Sequence, residues 1–350
     1  MITTACRHFL FFALGLLASA TGSVAQSSPF NGRQIPLPDS TGHYRFIVSG
    51  HFYGDGRSSV GFPVATLLGN LDTINALGAS FMLSTGDLFQ DAKGDRSRYQ
   101  RSLFEKLELP LFNAVGNHDL DGGRYQDLFG ATSFTFDVGT DRFVVLDTER
   151  DDSSLDDEQL NMLAHAANDA QLRKVFIISH RPVWAEAEED YGRLFPNNTR
   201  ALAGNNFRSA VYPILDRMAA HADIYWMAGS MGGNSPASIF FQPHARNITY
   251  LQSAIRGTRH DALLIADVGP DSVRWSALSL TGQKLQPVAE YSADWWRTHL
   301  GRQESFNWRL FPYYLKITTT HRAFWIGVGS SLVLLIGIRW IRRKRAGSRD

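Results

Sequence analysis

The stretch Leu111-Phe112-Asn113-Ala114-Val115-Gly116-Asn117-His118-Asp119 is a short, mostly apolar run that stops at a glycine and ends in an amide, an imidazole and a carboxylate. Such a run reads as a buried strand, Leu111–Val115, delivering its polar groups to the carboxyl end. Three other stretches repeat the arrangement. Tyr44–Ser49 runs into Gly50-His51, Phe81–Ser84 into Thr85-Gly86-Asp87, and Lys174–Ser179 into His180-Arg181-Pro182. Open α/β sheets place their sites at the carboxyl ends of adjacent strands. A single tip of this kind is more often an ordinary loop; four in series predict one crevice lined by metal-ligating or acid–base groups. A glycine beside the ligand in three of the four, Gly50, Gly86 and Gly116, allows the close backbone approach that a cluster requires.

Outward from these tips, strands are also predicted at Ser133–Val138, Phe143–Asp147 and Ile224–Ala228, with Gly139-Thr140 as a hairpin turn. Amphipathic spacing predicts helices over Pro63–Leu77, Arg96–Leu107, Asp156–Asn168 and Phe207–Ala220, the third with Ser153 or Ser154 as N-cap. After Ser238 the pattern turns to strands, at Ile239–Phe241, Ile248–Ser253, Ala262–Asp267 and Ser272–Leu278. The class is α/β or α+β with layered sheets, in one domain over residues 43–285. Residues 26–42, rich in Ser, Pro and Gly, read as a linker.

In order and spacing these tips resemble the calcineurin-like metallophosphoesterases, whose pattern runs Asp-x-His, Gly-Asp, Gly-Asn-His-Asp/Glu, a single His after a strand, then Gly-His-x-His. Gly116-Asn117-His118-Asp119 is the most specific match. The resemblance implies a four-layer α/β/β/α metallophosphoesterase sandwich with two divalent ions (Mn, Fe or Zn) about 3.5–4 Å apart, clamping a phosphate ester and activating a water. Carried over by residue, it makes Asp87 the bridging carboxylate, His51 a first-site ligand, and Asn117 and His180 second-site ligands. It makes His118 the imidazole that protonates the leaving oxygen, oriented by Asp119. Arg181, next to His180, reads as a surface salt bridge rather than a phosphate contact.

The chain also departs from that pattern. Ser49 stands where the first motif has an aspartate, and Gly229-Ser230-Met231-Gly232 stands where the last has two histidines. One carboxylate then faces the charge of two dications. Three readings stay open: a single ion on the remaining ligands, with weak or specialised hydrolysis; substitution of the lost ligands by Asp55, His244 or His260; or a metal-free binding module, with the Gly229–Gly233 turn as an anion nest.

The ends carry separate signals. Arg7-His8, an apolar run from Phe9 to Ala18, and Ser23-Val24-Ala25 predict a secretory signal peptide over residues 1–25. Ala323–Ile338 has no charged residue, and Arg342-Arg343-Lys344-Arg345 follows shortly after. A transmembrane helix over 323–341, after a juxtamembrane segment at 286–322, is predicted to leave a basic cytoplasmic tail at 342–350. Among Trp295, Trp296, Trp308, Phe311, Tyr313 and Tyr314, some fit an interfacial belt, with the packed core as an equal alternative for Trp295 and Trp296.

The formal charge of +1 is therefore a sum of unlike parts, since residues 26–321 hold 27 Lys and Arg against 33 Asp and Glu. A mildly acidic exported domain argues against nucleic acid as a partner. Cys6, the one cysteine, lies in the signal segment, which excludes thiol catalysis and a disulfide framework in the domain. The sequons Asn197-Asn198-Thr199 and Asn247-Ile248-Thr249 matter only in a glycosylating host. The expected function is a membrane-anchored, extracytoplasmic, metal-dependent phosphoesterase acting on a phosphomono- or phosphodiester, with a lipid-linked or envelope phosphoester as substrate. A catalytically silent binding protein of the same fold, displayed at the membrane, is the alternative.

Overall fold

In the computed structural model the described residues are 26–54, 60–120, 124–186, 189–195, 204–231, 235–301, 308 and 311–346. The signal-peptide segment, Asp55, Gly232, the sequon at Asn197 and the last four residues lie outside them. Eleven strands form among the described residues: β1 Tyr44–Ser49, β2 Phe81–Ser84, β3 Leu111–Asn113, β4 Phe134–Val138, β5 Asp141–Val145, β6 Lys174–Ile178, β7 Asp223–Ala228, β8 Ile239–Ala245, β9 Ile248–Ser253, β10 Ala262–Val268 and β11 Val273–Ser279. They build two sheets, of order β11-β10-β1-β2-β3 and β4-β5-β6-β7-β9-β8. Within the first, β1, β2 and β3 are parallel; within the second, β5, β6, β7 and β9 are parallel. Their carboxyl ends therefore gather at one end of each sheet.

Alternation along the strands creates the layers. Phe46 and Val48 of β1, Phe81 and Leu83 of β2, and Phe176 and Ile178 of β6 share one buried cluster between the sheets. Ile47 and Met82 face a second cluster with Leu71, Ile74, Leu103 and Phe104, on the outer face of the first sheet. Val175, Ile177, Trp226 and Tyr250 face a third, with Leu163, Leu215 and Trp296 from helices outside the second sheet. Both faces of the central strands are thus apolar, as parallel strands covered on two sides require. The result is the four-layer α/β/β/α sandwich. Aromatic rings fill the space between the sheets: Phe46 meets Phe176 edge-on at 5.0 Å, and Phe143 stacks on Phe176 at 4.7 Å. Burying each contributes roughly 1.5–3 kcal/mol.

Several helix boundaries differ from the sequence expectation, each for a local reason. The span Pro63–Leu77 splits into Ala65–Leu68 and Leu71–Asn75, the break falling at Gly69-Asn70, where the Asn70 side chain instead donates to the Leu280 carbonyl. The next helix begins at Ala92 rather than Arg96, because Asp91 caps it by accepting from the Lys93 and Gly94 amides. For Asp157–Asn168 the cap is Asp156, not Ser153 or Ser154; its carboxylate accepts from Gln159 N at 3.0 Å.

The stretch read as a linker is built into the body. Ser28 Oγ donates to the Leu111 carbonyl at 2.7 Å, and Phe30 and Ile35 enter two of the core clusters. At the far end Trp296 is fully buried and its indole donates to the Ile239 carbonyl at 2.9 Å. Trp296 is therefore core, whereas Trp308 is 73% exposed. The helix Arg322–Ala346 follows. Its segment Arg322–Arg342 has a mean hydropathy of 1.8 and no buried residue in its apolar stretch, and it is long and apolar enough to cross a membrane.

Candidate metal centre

The loops after β1, β2, β6 and β7 are laced together by backbone bonds. His51 N donates to the Gly86 carbonyl at 2.9 Å, Phe52 N to the Asp87 carbonyl at 3.0 Å, and Ser230 N to the His180 carbonyl at 2.8 Å. Thr85 ties the sheets to each other: its hydroxyl donates to the Ser253 carbonyl and its own carbonyl faces His180 Nδ1, both at 2.9 Å. Two glycines make this possible. A Cβ on Gly86, where φ is +96°, would collide with the His180 ring, and one on Gly116 would collide with the Asp87 carboxylate.

Three of the expected residues converge. His51 Nε2 and His180 Nε2 each lie 3.6 Å from Asp87 Oδ2, and the ligand atoms of the three residues all lie within 4.8 Å of one another. Both Nε2 atoms are buried and have no hydrogen-bond partner. Since the Thr85 carbonyl can only accept, His180 Nδ1 carries the proton and Nε2 presents its lone pair, the support that metal-ligating histidines generally show. Burial holds both imidazoles below the ordinary histidine range despite the opposing pull of Asp87, so they are neutral and ligand-competent at neutral pH. Burial works against the Asp87 charge, but His180, His51 and His118 and the His118 amide outweigh it and lower the carboxyl to about 2.

Backbone strain marks the same positions. His51 and Asp87 are non-glycine residues with φ of 54° and 57°. Such residues cost of order 1–3 kcal/mol each and cluster at functional sites. Two imidazoles and a carboxylate, with no further His, Cys, Asp or Glu in the cluster among the described residues, suit Zn, Fe or Mn with open positions for water or substrate. The donors present therefore fit one divalent ion.

Around that trio the other expected residues take different places. His118 N donates to Asp87 Oδ1 at 3.1 Å, and His118 Nδ1 faces the Gln90 carbonyl at 3.2 Å. That carbonyl fixes the ring and leaves Nε2 as the nitrogen able to exchange a proton with a substrate. Asp119 does not touch the His118 ring. It is fully buried and braces the loop, accepting from the amides of Phe89 and Gly116 and from the Asn113 side chain. Burial and the nearby Asp87 charge push its carboxyl up to about 7. Asn117 is exposed, and its Oδ1 accepts from Arg181 Nη2 at 2.7 Å.

Arg181 is no surface pair. Its side chain is 12% exposed and grips Glu149, 1% exposed, through Nε at 2.7 Å and Nη2 at 3.1 Å, while Nη1 donates to Ser230 Oγ at 3.2 Å. Nothing in the sequence pattern singled out Glu149, although it too follows a central strand, β5. Tyr53 was also missed: its hydroxyl donates to Asp87 Oδ2 at 3.0 Å, and its ring lies 5.2 Å from that of His118. Only its spacing of two residues from His51 pointed there. Of the proposed substitutes, the two among the described residues do not join the cluster. His244 packs among Tyr191, Tyr212 and Tyr250 on the outer face of the second sheet, and His260 is exposed. Ser49 is fully buried and meets Ser253 Oγ at 3.4 Å.

No family model and no curated protein matches the sequence. Among solved structures the chain is similar to a dimetal phosphatase from Danio rerio, with a TM-score of 0.50 and 12% identity over 68% of this chain and 96% of that one. It is also similar to the purple acid phosphatase PPD1 from yellow lupin (Lupinus luteus) seeds, at 0.46 and 13% over 74% and 57% of the two chains. A third similarity is to PhoD, at 0.46 and 9% over 76% and 77%. With its two facing sheets and its His, Asp, His cluster at their carboxyl ends, the chain shares the fold of the Danio rerio dimetal phosphatase.

Proposed function

We propose that this protein is a metal-dependent phosphoesterase, a divergent calcineurin-like member, held outside the cytoplasm by its C-terminal helix. The observation that carries the reading is the pair of orphaned, buried Nε2 atoms of His51 and His180 aimed at one oxygen of Asp87. Leaving two such atoms unpaired is costly unless a ligand completes them. A divalent ion held there supplies Lewis-acid polarisation of a phosphoryl oxygen and a more acidic water. Tyr53 orients the Asp87 carboxylate by its hydrogen bond. His118, with Nδ1 donating to Gln90, delivers a proton from Nε2 to the departing oxygen.

The anchoring part of the proposal rests on residues 1–25 as a signal peptide, the body as the exported domain, 323–341 as the span and 342–350 as the inner tail. The acidic balance of residues 26–321 and the apolar helix together favour a phosphoester at or near the bilayer, lipid-linked or envelope-derived, over nucleic acid. A reporter joined after Asp350 is expected to register as cytoplasmic; an exported signal would refute the orientation.

For the chemistry, the purified chain is expected to retain Mn, Fe or Zn and to hydrolyse an aryl phosphate diester or monoester with Mn²⁺ present. His118→Ala should lower the rate about 10²–10⁴-fold, the range for loss of a general acid, while metal content stays unchanged. No bound metal and no turnover would leave the silent binding module as the reading.

A further inference from the structure

The Arg181 guanidinium lies where the carried-over pattern puts a second ion. That pattern assigns Asp87, Asn117 and His180 to the second site, and Ser230 stands at one of the two positions where its last motif has a histidine. Arg181 donates to two of these four, through Nη2 to Asn117 Oδ1 at 2.7 Å and through Nη1 to Ser230 Oγ at 3.2 Å. The third, His180, has one available lone pair, on Nε2, and it faces Asp87 Oδ2 together with His51. Only Asp87 remains for a second ion, and Asp87 is already claimed.

Charge leads to the same result. Glu149 is almost fully buried and grips the guanidinium through both oxygens, so its charge is chiefly engaged in offsetting Arg181. Asp87 is then the one carboxylate of the ligand cluster left to face an added cation. A dication placed against Asn117 and Ser230 would sit beside a guanidinium that cannot lose its charge. Arginine also has what the place requires: a planar fork that satisfies a carboxylate, an amide oxygen and a hydroxyl at once, with a positive charge that needs no cofactor.

We infer that this chain holds a single metal ion, on His51, Asp87 and His180, and that the Arg181 guanidinium, clamped by Glu149, permanently occupies the place of the second. The inference rests on the metal-site reading above, and the experiment separates the two. The full-length chain, purified in detergent, is saturated with Mn²⁺, desalted and analysed for metal content and by electron paramagnetic resonance. One Mn per chain with an isolated six-line signal is expected. Two Mn per chain with an exchange-coupled signal would overturn the inference and keep the metal-site reading. Zero Mn would overturn both.

A second arm uses Arg181→Gln combined with Ser230→His, which removes the cation, restores an imidazole and releases Glu149 as a further carboxylate. The ratio should double to two Mn per chain and spin coupling should appear. A ratio that stays at one in a variant that still melts cooperatively would refute the occupancy assigned to Arg181. If that pair does not fold, Arg181→Lys, which keeps a charge but loses the fork, is expected to stay at one; a rise to two would count against the inference.

Discussion

Asp87→Asn is expected to abolish metal retention and, with it, phosphoester hydrolysis. The substitution keeps the shape of the side chain, an oxygen for the His118 amide or the Tyr53 hydroxyl, and the backbone conformation at φ 57°. What it removes is the negative charge between the two orphaned imidazoles. Outer partners of a metal site are typically worth 10–100-fold in affinity, so loss of the one carboxylate among the ligands should exceed about 100-fold. The thermal melt gives a second reading. An ion at about 100 times its Kd adds about 2.7 kcal/mol to the native state, which for a body of this size corresponds to about 5–10 °C. Mn²⁺ should raise the wild-type melting temperature by that order and leave Asp87→Asn where it was. A variant that still gained the full shift would show that the ion binds elsewhere.

How far the sequence led is best judged at this same cluster. His51, Asp87 and His180 were legible because each follows a strand of buried, β-favouring residues, the first two beside a glycine, and the topology of parallel strands does the rest. Backbone direction alone delivers such residues to one end. The contacts that discriminate among them depend on side-chain reach across loops, and no local pattern encodes that. Asp119 has the spacing of an orienting carboxylate, yet its oxygens are turned to the amides of Phe89 and Gly116, and the Gln90 carbonyl holds His118 instead. Phe30 and Ile35 sit in a stretch whose Ser, Pro and Gly content argues for a linker; two apolar anchors outweigh that composition once a groove is available to bury them. The helix starts missed in the same way depended on single carboxylates, Asp91 and Asp156, taking up amide donors.

Arg181 is the residue whose reading changed most, because exposure separates a surface pair of little worth from a desolvated one of large consequence. Removing either partner of the Glu149–Arg181 pair should therefore be costly. Glu149→Ala leaves a guanidinium 12% exposed with its bidentate acceptor gone, and Arg181→Ala leaves a carboxylate 1% exposed without the fork that gripped it. Breaking a buried pair from one side typically costs about 3–5 kcal/mol. Arg181 keeps its bonds to Asn117 and Ser230 and some reach to solvent, so Glu149→Ala should fall at the lower end of that range and Arg181→Ala at the upper. The double variant leaves neither charge behind. Its cost should be well below the sum of the two, with a coupling of about 2–3 kcal/mol, against the few tenths expected of independent sites. Urea denaturation of the four proteins measures this directly, provided the unfolding slope is unchanged among them. Additive costs would mean that the two side chains are held by their surroundings and not by each other. In that case Arg181 would keep its place against Asn117 and Ser230 without Glu149, and the clamping role assigned to Glu149 would be refuted.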